Sequence, residues 1–421
     1  MRRKNTLSIV AGFLFFLLFF ASGAAVFAQD SLSPFEPNEV VIKLERTADL
    51  PAIAAQYGLD PTPICQMDRS PLYRMRISSG ASVSKVVNQL RNDARGRVAF
   101  AEPNFLIGSP SQSNLPWSMG GSWSIGGSWS IGSSLKGYSR QWMTRRINLE
   151  ASHAMARGQG IKIAVLDTGI DFHHPIFANR LLPGYDFVDY DYYAAEVGTW
   201  GQGAYGHGTA VAGIAIAVAP DAKIIPIRIL DQNGAGNVWR LAEGLRYAAN
   251  PDGNTATNDG ADVINLSLGT TETTSLIRET LGLAAGAPQR IVVVAASGNT
   301  GDATRIYPAA EQADNLIAVA ASASDDTLSI FSTRGDWIDI MAPGERIVSA
   351  MPNGRFATWS GTSMSAPIVS GITALVMVKY PNMTGNQVAY HIKGTSEDVL
   401  GGMFLRVDAN RSLTIPPVPP N

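Results

Sequence analysis

The chain has 421 residues, 45% of them hydrophobic and 16% charged, and its formal net charge is -2. That length suggests two domains and the apolar content can bury a substantial core, while the charge gives no basic excess for nucleic acid and no acidic excess for a solvating tail. The one cysteine, Cys65, excludes an intramolecular disulfide. In TPICQMD it has no glycine turn or histidine beside it, so it is a poor candidate for a thiol nucleophile.

The N-terminus reads as a signal peptide over residues 1–28. Arg2, Arg3 and Lys4 precede an apolar run from Leu7 to Phe20, and Val26-Phe27-Ala28 offers a cut at Ala28-Gln29. An uncleaved anchor is the alternative, since Leu7 to Ala28 is long enough to span a bilayer. No other stretch resembles a transmembrane helix, so the mature protein is expected outside the cytoplasm and off the membrane.

Residues 38–107 read as a small α+β unit. VVIKL (40–44), LYRMRI (72–77) and RVAFAEPNF (97–105) have strand character, the last breaking at Pro103. LPAIAAQYG (50–58) is a short helix ended by glycine, and VSKVVNQLRND (83–93) carries apolar residues at helical spacing. PWSMGG, SWSIGG and SWSIGS then repeat from Pro116 to Ser133. Three such units cannot build a solenoid, so residues 108–140 read as a Gly/Ser/Trp-rich linker. A docking segment using Trp117, Trp123 and Trp129 is the alternative.

From 141 to 410 strands alternate with helices. IKIAVLD (161–167), KIIPIRIL (223–230), DVINLSLG (262–269), RIVVVAAS (290–297) and NLIAVAAS (315–322) are nearly continuous apolar runs, as in a parallel sheet buried on both faces. VWRLAEGLRYAAN (238–250) is one of the helices between them. The fold class is therefore α/β, an open, mostly parallel sheet with helices on both faces, and ligands are expected beyond the carboxyl ends of its strands. Residues 411–421, with PPVPP, read as an extended tail.

Three polar segments stand at strand ends or helix starts. VLDTGID puts Asp167 at the exit of a buried strand. GHGTAVAG puts His207 at the start of a small-residue helix. WSGTSMSAP puts Ser363 at the start of another, with Pro367 in its first turns. Each alone is weak, because DTG is often a plain turn, a lone histidine usually packs in a core and GTS usually caps a helix. Together they supply a nucleophilic hydroxyl, an imidazole to take its proton and a carboxylate to orient the imidazole. Glycines beside His207 and Ser363 are expected to let a substrate backbone approach. The Asn299 amide, in SGN after a strand, and the Ser363 N–H are candidate donors to an oxyanion.

On these residues the chain resembles the subtilase (subtilisin-family, S8) serine proteases, from roughly Gln141 to Leu405. The resemblance is carried by VLDTGID, GHGTAVAG, NLSLG, AASGN, Tyr307-Pro308, MAPG and GTSMSAP, in the order Asp, His, Ser. It implies a subtilisin-like fold and a secreted endopeptidase working through an acyl-enzyme, with Asp167, His207 and Ser363 as triad, Asn299 in the oxyanion hole and no cofactor for the chemistry. It also implies that Gly234-Ala235-Gly236 and Ser267-Leu268-Gly269 sandwich an extended polypeptide substrate. Ala296-Ser297-Gly298 and Ser267-Leu268-Gly269 would wall the pocket for the residue before the cut. These segments hold no acidic side chain, which favours a mainly apolar preference.

Residues 38–107 resemble the family's inhibitor-type (I9-like) propeptide, a ferredoxin-like domain whose closing strand matches AFAEPNF. The resemblance implies an autoprocessed zymogen, with its own propeptide as intramolecular inhibitor and folding aid, cut between Ile107 and Gln141. Parallel sheets form from non-local contacts and fold slowly, so a template has a physical use.

Two departures concern calcium. Only IAIAVA separates Gly213 from Pro220, where many relatives carry a loop that builds a tight calcium site, and HPIF puts Ile176 in the place of an acidic ligand. The family's strong site is therefore expected to be absent, and no metal ligand is assigned. Asp186, Asp189 and Asp191 could hold a cation or form an ordinary acidic loop. Ala210 stands where many relatives carry a second histidine. The alternatives in function are a narrow-specificity maturation protease and a non-catalytic surface-binding protein on the same scaffold.

Overall fold

The apolar runs become strands because each can bury side chains in two directions. The computed structural model describes residues 34–68, 70–109, 129–131, 133–199, 203–254, 257–285, 290–399, 401 and 404–417. The expected signal peptide and most of the tryptophan repeat lie outside them.

The N-terminal unit has the order β1 (Phe35–Leu44), α1 (Leu50–Tyr57), a two-residue strand Cys65–Gln66, β2 (Leu72–Arg76), α2 (Val83–Arg91) and β3 (Val98–Gly108). The sheet runs Cys65–Gln66, β2, β1, β3, antiparallel throughout, which is the ferredoxin-like arrangement. Its own core holds Val40, Ile42, Ile53, Tyr73, Met75, Val86 and Leu90. α1 ends where Gly58 takes a left-handed conformation, and Ser82 caps α2 by accepting from the Lys85 N–H.

The larger sheet has nine strands among the described residues. At its centre lie β4 (Lys162–Asp167), β5 (Lys223–Arg228), β7 (Val263–Leu266), β8 (Val292–Ala296), β9 (Leu316–Ser322) and β10 (Ile340–Pro343), all parallel, in the order β10, β9, β8, β7, β4, β5. Alternate residues of each strand enter opposite cores. Ile163, Val165, Val292, Val294, Ile317 and Val319 face α3 (His207–Val218) and α6 (Thr362–Lys379). Ala164, Leu166, Val293, Ala295, Leu316 and Ala318 face α4 (Val238–Ala249) and α5 (Ser275–Ala285). Burial on both sides is what makes these strands read as unbroken apolar runs. α6 is long and apolar enough to cross a membrane, contrary to the reading that only the N-terminus is; here it is 89% buried inside the protein.

The two sheets meet. β3 adds β6 (Ala235–Asn237) as a fifth strand, with Leu106, Ile107 and Gly108 opposite Asn237, Gly236 and Ala235. This corrects the expected break at Pro103. The register with β1 shifts there, from Val40↔Pro103 to Phe35↔Phe105, and the strand continues because its next residues find a new partner. Glu102 accepts from the Ser275 and Leu276 N–H groups at 2.8 and 3.1 Å, at the start of α5. The Asn104 side chain accepts from the Trp239 N–H at the start of α4 at 3.3 Å.

Two segment readings are also corrected. Within the expected linker, Trp129–Ile131 pairs with β12 (Arg355–Trp359), the partner of β11 (Ile347–Met351), and Leu135–Ser139 is helical. The buried Tyr138 hydroxyl donates to the Gly213 carbonyl at 2.6 Å, which holds that helix to α3. Within the expected tail, Ala409–Thr414 is a helix capped by Asp408, and its Leu413 is buried in the core.

Candidate active site

The candidate groups converge beyond the carboxyl ends of the parallel strands. Asp167 is the last residue of β4, His207 the first of α3 and Ser363 the second of α6. All three are buried. The His207 ring donates through Nδ1 to Asp167 Oδ1 at 2.7 Å, and the Thr168 N–H donates to the same oxygen at 2.8 Å. Asp167 Oδ2 is buried without a hydrogen-bond partner. Trp359 meets the imidazole edge-on, with ring centroids 6.4 Å apart. Burial pulls the His207 pKa down, but the charge and hydrogen bond of Asp167 outweigh it and, with a contribution from Glu196, leave it above the ordinary 6.5.

The Ser363 hydroxyl donates to the Ser267 carbonyl at 3.3 Å. Its backbone is fixed by an unexpected device. Pro367 is the sixth residue of α6, within its first two turns as read but far enough in that it withholds an N–H from the Ser363 carbonyl. The Ser267 hydroxyl donates to that carbonyl instead at 3.0 Å, and itself accepts from the Asn265 amide at 3.0 Å. Ser267 thus has a hydroxyl role besides its place in a substrate edge.

Asn299 is oriented by its oxygen. Oδ1 accepts from the Thr362 N–H at 2.9 Å and the Thr362 hydroxyl at 3.0 Å, which leaves Nδ2 to face outward. At Gly361, whose φ of +149° suits glycine, an added Cβ would lie 3.2 Å from Asn299 Nδ2 and 3.8 Å from the Ser363 nitrogen. Both donors therefore flank one notch. Gly208 has a different reason from the one expected. A Cβ there would lie 2.2 Å from the Gly169 carbonyl oxygen and 3.1 Å from Asp167 Cβ. Its bareness lets α3 close on the Asp167 loop and makes no room for substrate.

The two expected substrate edges already hold a strand. Gly108 exchanges N–H···O bonds with Gly269 at 3.0 and 3.1 Å, and the Ser109 N–H donates to the Gly234 carbonyl at 3.0 Å. Ile107 and Gly108 lie opposite Gly236 and Ala235. Leu268 is buried beside them. Ala296, Ser297 and Gly298 follow at the end of β8, and the Gly298 N–H donates to the Thr362 hydroxyl at 3.2 Å.

Two of the three carboxylates of the acidic loop are engaged by an arginine of the chain. The buried Arg228 guanidinium donates to Asp186 Oδ2 at 2.6 Å and Asp189 Oδ2 at 2.5 Å, and Asp191 accepts from the Tyr193 N–H. Arg228 thus carries the countercharge for Asp186 and Asp189. Among the described residues no group of three His, Cys, Asp or Glu is arranged to hold a metal. α3 runs unbroken through Ile214–Val218, the segment read as the shortened loop. Cys65 is a free, partly buried thiol on the N-terminal sheet.

One polar residue escaped the sequence reading. Glu196 accepts from the hydroxyls of Thr168 and Thr209, next to Asp167 and His207. No motif surrounds it, and only the fold brings it there.

Comparison with known proteins agrees with this architecture. The profile of the subtilase family matches residues 158–409, and that of the fervidolysin N-terminal prodomain matches residues 21–104. The chain is 34% identical over 331 residues to a thermophilic serine proteinase of Bacillus sp. (strain AK1), covering 76% of this chain and 72% of that one. It is 37% identical over 273 residues to thermitase of Thermoactinomyces vulgaris, covering 62% and 90%. Among solved structures, fervidolysin of Fervidobacterium pennivorans, described as a keratinolytic enzyme related to subtilisin, superposes with a TM-score of 0.72 at 22% identity. That match covers 91% of this chain and 62% of the longer fervidolysin chain, and it speaks for the fold.

Proposed function

The chain belongs to the subtilase family and is a subtilisin-like serine endopeptidase with an N-terminal prodomain; from that premise we propose that it is exported as a zymogen, cuts itself free of the prodomain and hydrolyses polypeptides through a Ser363 acyl-enzyme. The observation that carries this is the convergence of the Asp167–His207 hydrogen bond with two N–H donors beside Ser363.

Each group has a step. With substrate bound, the Ser363 hydroxyl turns from the Ser267 carbonyl to His207 Nε2, loses its proton there and attacks the scissile carbonyl. Asp167 holds the ring through Nδ1 and stabilises the imidazolium that forms. Asn299 Nδ2 and the Ser363 N–H take up the oxyanion charge. His207 then passes the proton to the leaving amine, and water repeats the cycle on the acyl-enzyme. Every group used is a side chain or backbone N–H of this chain, so the proposed chemistry needs no cofactor. Substrates bind as an added strand between Gly234-Ala235-Gly236 and Ser267-Leu268-Gly269, as Gly108 and Ser109 do now.

The prodomain in that groove inhibits by occupying it. Gly108 lies opposite Gly269, two residues from Ser267, so the processing cut is expected within a few residues after Ser109. The test compares the secreted wild type with Ser363→Ala by N-terminal mass spectrometry and fluorophosphonate labelling. Wild type should lack the prodomain and take the label at Ser363; Ser363→Ala should stay uncut and unlabelled, with turnover lower by roughly 10⁶, a loss of the size known for subtilisin. Folded wild type that neither matures nor takes the label overturns the proposal.

A further inference from the structure

Glu196 stands behind the Asp167–His207 pair, and the acyl-transfer steps make no use of it. Its loop is laced to the Asp167 loop, for the Glu196 N–H donates to the Ile170 carbonyl and the Ile170 N–H to the Ala194 carbonyl, both at 3.1 Å. Its Oε1 accepts from the Thr168 hydroxyl at 2.8 Å. Its Oε2 accepts from the Thr209 hydroxyl at 2.8 Å and the Thr209 N–H at 3.2 Å. Thr168 follows Asp167 directly, and Thr209 is two residues after His207.

The direction of these bonds is fixed. The Thr168 hydroxyl accepts from the Gly208 N–H at 3.0 Å, and the Thr209 hydroxyl accepts from the Asp171 N–H at 3.0 Å. Each therefore has its proton to give to Glu196. Both threonines are fully buried, so the carboxylate is the partner that satisfies their hydroxyls. With the Gly206 N–H also bonded to it, four donors converge on this side chain and call for an acceptor-only group, which is an ionised carboxylate. A glutamine there would turn an N–H₂ against a donor.

We propose that Glu196 is a positioning residue for catalysis: it ties the strand-end loop bearing Asp167 to the helix start bearing His207, and sets a second negative charge behind the imidazolium. The inference rests on the triad assigned above.

The charges facing the pair set the sign of the expected pH effect. His207 is faced by Asp167 and Glu196. Glu196 is faced by Asp167 and Tyr205, and Tyr205 in turn by Asp171 and Arg355. Burial pushes the Glu196 carboxyl up to about 7, the bonds from Thr168, the Gly206 N–H and Thr209 pull it back, and Asp167 adds to the rise. A neutral residue at 196 makes the imidazole less basic, so the acid limb of activity moves to lower pH.

The test is the pH dependence of kcat/KM for active-site-titrated wild type, Glu196→Gln and Glu196→Asp, with Ser363→Ala as control. Glu196→Gln should lower kcat about tenfold with KM within about twofold, and move the acid limb down by about half a pH unit or more. Glu196→Asp keeps the charge on a shorter stem, so its acid limb should stay at the wild-type position while kcat falls. An unmoved acid limb in Glu196→Gln overturns the proposal whatever happens to kcat. If Glu196→Gln does not accumulate folded, Glu196→Asp decides, and a wild-type kcat there overturns it. Activity retained by Ser363→Ala would instead bring down the triad itself.

Discussion

The two faces of the nine-stranded sheet are built to different rules. On one face α3 is buried at every position except Ala217, and α6 is buried from Thr362 through Met377. These helices begin with His207 and Ser363. On the other face α4 and α5 bury one side only, and Leu283 of α5 is 51% exposed. Their N-terminal N–H groups receive Asn104 and Glu102 from the N-terminal domain. The candidate catalytic side chains thus come from fully buried elements, while the prodomain caps the starts of two amphipathic helices. Full burial supplies the fixed geometry a preorganised site needs, and the first N–H groups of a helix, which have no partner within it, supply a docking point.

The sharpest way to separate the faces is Asn299→Ala. Its oxygen is pinned by Thr362 at the start of α6, so the loss belongs to the buried side. We expect kcat to fall by roughly 10²–10³, a range that comes from subtilisin, with KM little changed. Inhibition by added prodomain should be unaffected, and a parallel loss of that inhibition would collapse the distinction. A smaller effect is expected at the crossing of α3 and α6. A Cβ on Gly371 would lie 2.5 Å from Val218 Cβ and 3.1 Å from the Ala215 carbonyl. Gly371→Ala should cost about 1–3 kcal/mol by overpacking, read by denaturant unfolding in a Ser363→Ala background. An unchanged midpoint would mean that this contact has slack.

The same contrast explains what the sequence could and could not reveal. Strands such as IKIAVLD and RIVVVAAS are legible because two buried faces demand apolar residues at every position. Asp167, His207, Ser363 and Asn299 are legible because each sits in a short local motif, and the fold brings them to one end of the sheet. Pro103 is misread and the missing N–H of Pro367 is undervalued for one reason. In each case a partner from elsewhere, β6 for the one and the Ser267 hydroxyl for the other, makes up for what proline lacks. Glu196 and Arg228 carry no local signal, since their meaning lies in partners 13 to 42 residues away. The tail and linker readings miss the helices that cover residues 411–414 and Leu135–Ser139, because buried side chains, Ser412 and Leu413 in the one and Tyr138 in the other, outweigh a polar setting rich in glycine or proline.

The smallest expected effect has the opposite sign and belongs to the other face. Gly282 lies inside α5 on its exposed side, and a Cβ there would meet nothing within 4 Å. Glycine at such a point costs backbone entropy and gives no close approach in return. Gly282→Ala should therefore stabilise the mature enzyme by about 0.5–1 kcal/mol, chiefly by restricting the unfolded chain. In thermal unfolding of the Ser363→Ala form, that corresponds to a rise in Tm of about 1–4 °C. Prodomain affinity should not change, because Glu102 grips Ser275 and Leu276, well before Gly282 along the helix. Destabilisation by this substitution would show that α5 is packed more tightly than its open side allows, and the contrast between the two faces would fail at the point where it is easiest to test.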